Sequence, residues 1–95
     1  MPEMRFTVRW PDGAEESCYS PSLVIGEHMT PGESYPVSDF TERCRTALGI
    51  ASERVRAKYG FACSSALDQL ARIETASQRF TSAPGARVTV VSFET

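Results

Sequence analysis

Three cysteines, one histidine and a scatter of carboxylates are the groups in this chain with the most chemical potential. Cys63 leads them. It lies in Tyr59-Gly60-Phe61-Ala62-Cys63-Ser64-Ser65, just ahead of a predicted helix start. A helix N-terminus lowers the pKa of a nearby thiol and stabilises bound anions. The segment could therefore offer a thiol, two hydroxyls and free backbone N–H groups to a small ligand, with Tyr59 beside them. Against this, no base has a fixed sequence relation to Cys63, and His28, the sole imidazole, falls in the least regular stretch. The competing structural reading is that Cys63 fills the corner between two helices while Ser64 or Ser65 caps the second.

Other chemistries find less support. Zinc would need Cys18, Cys44, Cys63 and His28 to converge, and no CxxC is present. Glu15 and Glu16 are adjacent on a predicted strand, where neighbours point to opposite faces, so they cannot act as a dyad. There is no glycine-rich phosphate loop and no GxSxG. Tyr19 and Tyr35 flank the irregular segment and could line a pocket or a partner surface. No catalytic set, metal or cofactor is expected from these residues.

The elements that must position these groups follow from patterning. Met4, Phe6, Val8 and Trp10 alternate with Arg5, Thr7 and Arg9, the period of a half-buried strand. Pro11-Asp12-Gly13 supplies a turn. A more polar strand, 14–19, follows and should lie at a sheet edge, because Glu15 and Glu16 discourage further pairing. Ser22 to Met29 reads either as a short helix capped by Ser22 or as an irregular edge, and Ser34-Tyr35-Pro36 reads as extended.

A long helix opens at Ser38 or Asp39, with Asp39 and Glu42 spaced as a capping box. Phe40, Cys44, Ala47, Leu48, Ala51, Val55 and Tyr59 form its apolar stripe, and Gly60 stops it. Gly49 lies opposite the stripe. The second helix runs from Ser64 or Ser65 to about Phe80, with Ser65 as N-cap, Asp68 in the first turn, and Ala66, Leu67, Leu70, Ile73 and Phe80 on one face. A valine-rich strand, 87–93, should return to pair with the first strand. The expected fold is α+β: β-β-α-α-β, a three-stranded sheet with two helices packed on one face, forming a single domain over 1–95.

Composition narrows the function classes. The chain has 95 residues, 41% hydrophobic and 23% charged, which suits one globular core. Its net charge is −2, but residues 1–37 carry 2 basic and 6 acidic groups while residues 38–60 carry 5 and 3. That basic helix is too weakly charged to predict nucleic-acid binding. No apolar run approaches a membrane span, and the first ten residues show no signal-peptide core. Three unevenly spaced cysteines suit a reduced, cytoplasmic protein, although a Cys18–Cys63 bridge stays open on spacing alone.

The stretch Ala51-Ser52-Glu53-Arg54-Val55-Arg56-Ala57-Lys58-Tyr59-Gly60-Phe61-Ala62-Cys63-Ser64-Ser65-Ala66-Leu67-Asp68-Gln69-Leu70 is distinctive. Together with Arg5-Phe6-Thr7-Val8-Arg9-Trp10-Pro11-Asp12-Gly13 and Cys18-Tyr19-Ser20-Pro21-Ser22, it resembles a small bacterial family of nitrogen starvation response proteins. The resemblance covers roughly Met1 to Phe80 and the final strand. It implies a gene cluster shared with a nitrilase, a radical-SAM protein, an acetyltransferase, a flavoprotein and a synthetase-like protein, linked to the use of nitrile nitrogen. It carries over no functional residues. The expected function is a non-enzymatic accessory or interaction protein of that pathway. Its contacts should be pathway enzymes, made through Tyr59 to Ser65 and the segment from Tyr19 to Tyr35. The alternatives are a small-molecule binder or thiol enzyme centred on Cys63, and a homodimer formed through the exposed second strand.

Overall fold

A computed structural model describes residues 3–95. Met1 and Pro2, where the family resemblance and the signal-peptide reading begin, lie outside the described residues. The strands are β1 (Met4–Arg9), β2 (Glu15–Ser20), β3 (Ser34–Pro36) and β4 (Arg87–Glu94). The helices are α1 (Val37–Tyr59) and α2 (Ser64–Gln78), with a short 3₁₀ helix at Leu23–Glu27. The fold is α+β as expected, but the sheet has four strands in the order β2-β1-β4-β3, all antiparallel, and the chain runs β-β-β-α-α-β.

The alternation of β1 places Met4, Phe6, Val8 and Trp10 in the core, each no more than 3% exposed. Its neighbours are set by register. Phe6 sits opposite Cys18 on β2 and opposite Phe93 on β4. Between the pairs Thr7–Ser92 and Val8–Val90, β4 carries one extra residue, Val91, as a bulge. The hairpin closes through Trp10 and Ala14, with the Asp12 carboxylate accepting from the Ala14 N–H at 3.0 Å.

β3 is extended as its sequence predicts, but its place as a fourth strand of the sheet is what local patterning misses. It has three residues, and its partners are distant: Tyr35 pairs with Val88, and Gly32 N–H donates to the Val90 carbonyl at 2.7 Å. Its continuation explains why α1 begins at Val37 rather than at Ser38 or Asp39. Val37 N–H donates to the Ala86 carbonyl, so one donor that a cap would satisfy is taken by the sheet. Pro36 holds the N-cap position and no side chain caps. The Asp39–Glu42 capping box does not form. Asp39 lies inside the first turn and accepts from Arg43 Nε at 3.0 Å.

The α1 stripe is buried at Phe40, Cys44, Ala47, Leu48 and Ala51, but it ends there: Val55 is half-buried and Tyr59 is 55% exposed. Twenty-three residues of helix reach about 35 Å, close to the 41 Å long dimension of the molecule. The last turns of α1 therefore carry little of the core. Gly60 ends the helix in the left-handed conformation, φ 87°, its N–H donating to the Arg56 carbonyl.

α2 buries Ala66, Gln69, Ile73 and Ser77, with Leu70 and Phe80 partly buried. Leu67, expected on that face, is 49% exposed. The helix ends at Gln78, and Phe80 reaches the core from the following turn. There its ring stacks on Trp10 at 6.0 Å while Phe40 meets Trp10 edge-on at 5.6 Å. Each fully buried ring or branched chain in this core contributes about 1.5–3 kcal/mol. Arg45 on α1 ties the helices together by pairing with Glu42 and Glu74.

Candidate functional site

The cysteines separate cleanly by environment. Cys18, on an edge strand, still points inward and is fully buried, as is Cys44 on α1. Burial pushes the Cys18 thiol up to about 12, with Glu16 adding to the effect. Burial also holds the Cys44 thiol well above its usual value. Neither is a nucleophile near neutral pH. Cys63 is half-buried and packs against the core's margin. All three thiols are free, so the Cys18–Cys63 bridge left open by spacing is not formed.

At the corner between the helices, Cys63 itself occupies the N-cap of α2. Ser65 is therefore not the cap. Ser64 and Ser65 begin the helix, both are exposed, and no side chain caps it. Asp68 lies beyond the first turn. What the corner presents instead is apolar surface. Tyr59 is 55% exposed, Phe61 69% and Leu67 49%. Lys58 lies 5.6 Å from the Tyr59 ring. The imidazole is elsewhere. His28 is held by its carbonyl against Arg43, in the N-terminal half of α1, whereas Cys63 follows the C-terminal end.

The tyrosines do not share a pocket. Tyr19 is on β2 and Tyr35 on β3, the two opposite edges of the sheet. Tyr35 is engaged structurally: its hydroxyl accepts from the Thr30 N–H at 3.0 Å and the Arg43 guanidinium covers its ring. Tyr19 has a different setting. Its phenol donates to Glu3 at 3.2 Å, and Arg5 lies 5.9 Å from its ring. Burial, reinforced by the bond to Glu3, pushes that phenol up.

Tyr19 and Ser65 meet in a groove of about 510 Å³ between the outer face of β1 and β2 and the first turns of α2. Glu3, Arg5 and Ser17 line one side, and Asp68, Gln69 and Arg72 the other. Cys63, Ser64 and Tyr59 do not line it. Of the six residues named from sequence, the fold thus brings two into this groove, three to the corner, and leaves Tyr35 at the far edge. Arg5, Gln69 and Arg72 escaped sequence reasoning, and Phe61 entered it only as part of the stretch from Tyr59 to Ser65. Arg5 reads as an outward strand position and Gln69 and Arg72 as solvated helix positions until α2 is laid beside β2. A second cavity, about 480 Å³, lies between the start of α1 and the turn after α2. Its cations are already engaged, Arg45 by glutamates and Arg87 by Ser34.

Glu15 and Glu16 diverge as expected: Glu15 pairs with Arg9, and Glu16 accepts from the Trp10 indole. Among the described residues no three His, Cys, Asp or Glu side chains gather as metal ligands, and no helix is long and apolar enough to cross a membrane. No curated protein and no solved structure matches the chain. Residues 5–93 match a family model whose description is nitrogen starvation-induced protein NitG.

Proposed function

This chain belongs to the nitrogen starvation-induced protein NitG family, and we propose that its part in that response is to dock a pathway enzyme through the α1–α2 corner, without catalysis of its own. The observation that carries this reading is the exposure of Tyr59, Phe61 and Leu67 where α1 gives way to α2. Clustered large apolar groups on a small protein's surface favour an interaction site, and aromatic residues are the usual anchors. The corner also sits beyond the part of α1 that builds the core, and Tyr59, Phe61 and Leu67 are left exposed there. Lys58 at the Tyr59 ring suits a partner whose apolar pocket has an acidic rim. Free thiols favour a reducing, cytoplasmic setting.

The test is co-purification with the purified nitrilase and synthetase-like proteins of the implied gene cluster. Binding by the native chain and its loss in Phe61→Asp are expected. Binding to none of the cluster's enzymes, or binding that Phe61→Asp leaves intact, overturns the reading.

One observation favours a thiol-centred alternative. Cys63 is the least buried thiol and occupies the N-cap of a fifteen-residue helix, beside backbone N–H groups that no side chain caps. Alkylation of Cys63 no faster than that of a model thiol at neutral pH removes it.

A further inference from the structure

The groove between β2 and α2 holds charged side chains that form no ion pair among the described residues. Asp68 and Arg72 stand one helical turn apart on α2, the spacing at which Asp39 and Arg43 form an ion pair at 3.0 Å on α1. Asp68 and Arg72 form none among the described residues, and neither does Arg5. All three line the same groove, whose volume of about 510 Å³ falls in the range of small-ligand sites.

Gln69 supplies an independent sign. It is 7% exposed, and its Oε1 accepts from the Tyr19 N–H at 3.0 Å. That bond joins α2 to the free edge of β2. The other end of the amide, Nε2, is buried and has no hydrogen-bond partner among the described residues. A buried donor left unpaired costs about 1–3 kcal/mol and calls for an explanation. Gln69 forms part of the groove wall, so this unpaired donor belongs to a side chain that borders the groove.

The lining is amphoteric. Guanidinium groups enter from both sides, Arg5 from the sheet and Arg72 from the helix, and match a carboxylate. Asp68 and Glu3 match an ammonium, and Ser17 and Ser65 add hydroxyls. We propose that this groove binds a free α-amino acid, with its carboxylate held by Arg5 and Arg72, its ammonium by Asp68 and Glu3, and Gln69 Nε2 donating to a carboxylate oxygen. A simple anion would leave the two acidic side chains facing it, which disfavours that occupant. The site is separate from the apolar corner and does not depend on partner docking.

L-glutamine is the probe, since its side chain is uncharged and its head group supplies the only charges. Titrated into the ¹⁵N-labelled protein, it should shift the Gln69 side-chain amide and the Tyr19 backbone amide, saturating with a dissociation constant of about 0.1–10 mM. Two fragments dissect the head group: glutaramate lacks the ammonium, and 4-aminobutanamide lacks the carboxylate. Each should bind at least about tenfold more weakly, as should L-glutamine to the exposed-site variants Arg72→Gln and Asp68→Asn. Absence of shifts at Gln69 and Tyr19 up to about 50 mM overturns the proposal. So does glutaramate binding as tightly as L-glutamine, which marks a carboxylate site only. Loss of enzyme docking in Phe61→Asp with these shifts unchanged supports two separate surfaces.

Discussion

The Arg43 guanidinium lies 4.5 Å from the centroid of the Tyr35 ring, bridging α1 and the edge strand β3. The same side chain donates to the His28 carbonyl at 2.6 Å and to Asp39 at 3.0 Å. Tyr35 in turn holds the Thr30 N–H. One arginine thus pins the irregular stretch before β3 to the long helix. Arg43→Ala should destabilise the protein by about 1–2 kcal/mol in urea unfolding, and Arg43→Lys should recover less than half, because a point charge cannot cover the ring and reach both acceptors. A midpoint unchanged in Arg43→Ala makes the clamp ornamental.

Thiol accessibility separates the three cysteines. In the native protein, iodoacetamide at neutral pH should label Cys63 alone, while Cys18 and Cys44, both fully buried, react only after unfolding. Mass mapping of the labelled peptides decides it, and early label on Cys44 contradicts the packing described.

Alkaline stability follows from the same burial. The Cys18 thiol is raised from 9.0 to about 12 in the fold, so the native state keeps a proton that the unfolded chain releases. Its contribution is full below pH 9 and falls as pH rises toward 12, by about 1.4 kcal/mol per pH unit while the difference persists. Cys44 acts in the same direction. Urea midpoints from pH 8 to 11 should fall, and Cys18→Ala should flatten the slope even as it lowers stability at pH 7. An unchanged slope in that variant assigns the decline to other groups.

Two glycines should respond with opposite signs. A Cβ at Gly49 meets nothing within 4 Å and sits inside α1, so Gly49→Ala should stabilise by about 1 kcal/mol. Gly60 also has open space, but its φ of 87° is a conformation that a side chain resists. Gly60→Ala should cost about 1–2 kcal/mol. Thermal unfolding of both variants checks the pair, and a common sign refutes the assignment of Gly60 as the helix stop.

The sheet's edges show why part of the fold was hidden. β2 ends in backbone donors that pairing leaves free, and Tyr19 N–H finds Gln69, fifty positions along the chain. β3 exists only because β4 accepts it, through Val88 and Val90. Neither relationship has a local signature, since a buried glutamine looks like solvated helix and a three-residue extended segment does not show which strand it joins.

Local sequence alone determined whatever depends on near neighbours. The alternation of Met4 to Trp10 decided β1, Pro11-Asp12-Gly13 the hairpin, Phe40 to Ala51 the buried face of α1, and Gly60 its end, because backbone sterics and residue periodicity act within a turn or a strand. Tertiary structure decided the rest. It set the fourth strand, the uncapped start of α1 at Val37, the exposure of Leu67, and the meeting of Arg5 and Tyr19 with Gln69 and Arg72. Those features depend on hydrogen-bond donors and apolar area supplied from distant parts of the chain, and only docking of the elements says which residue receives them.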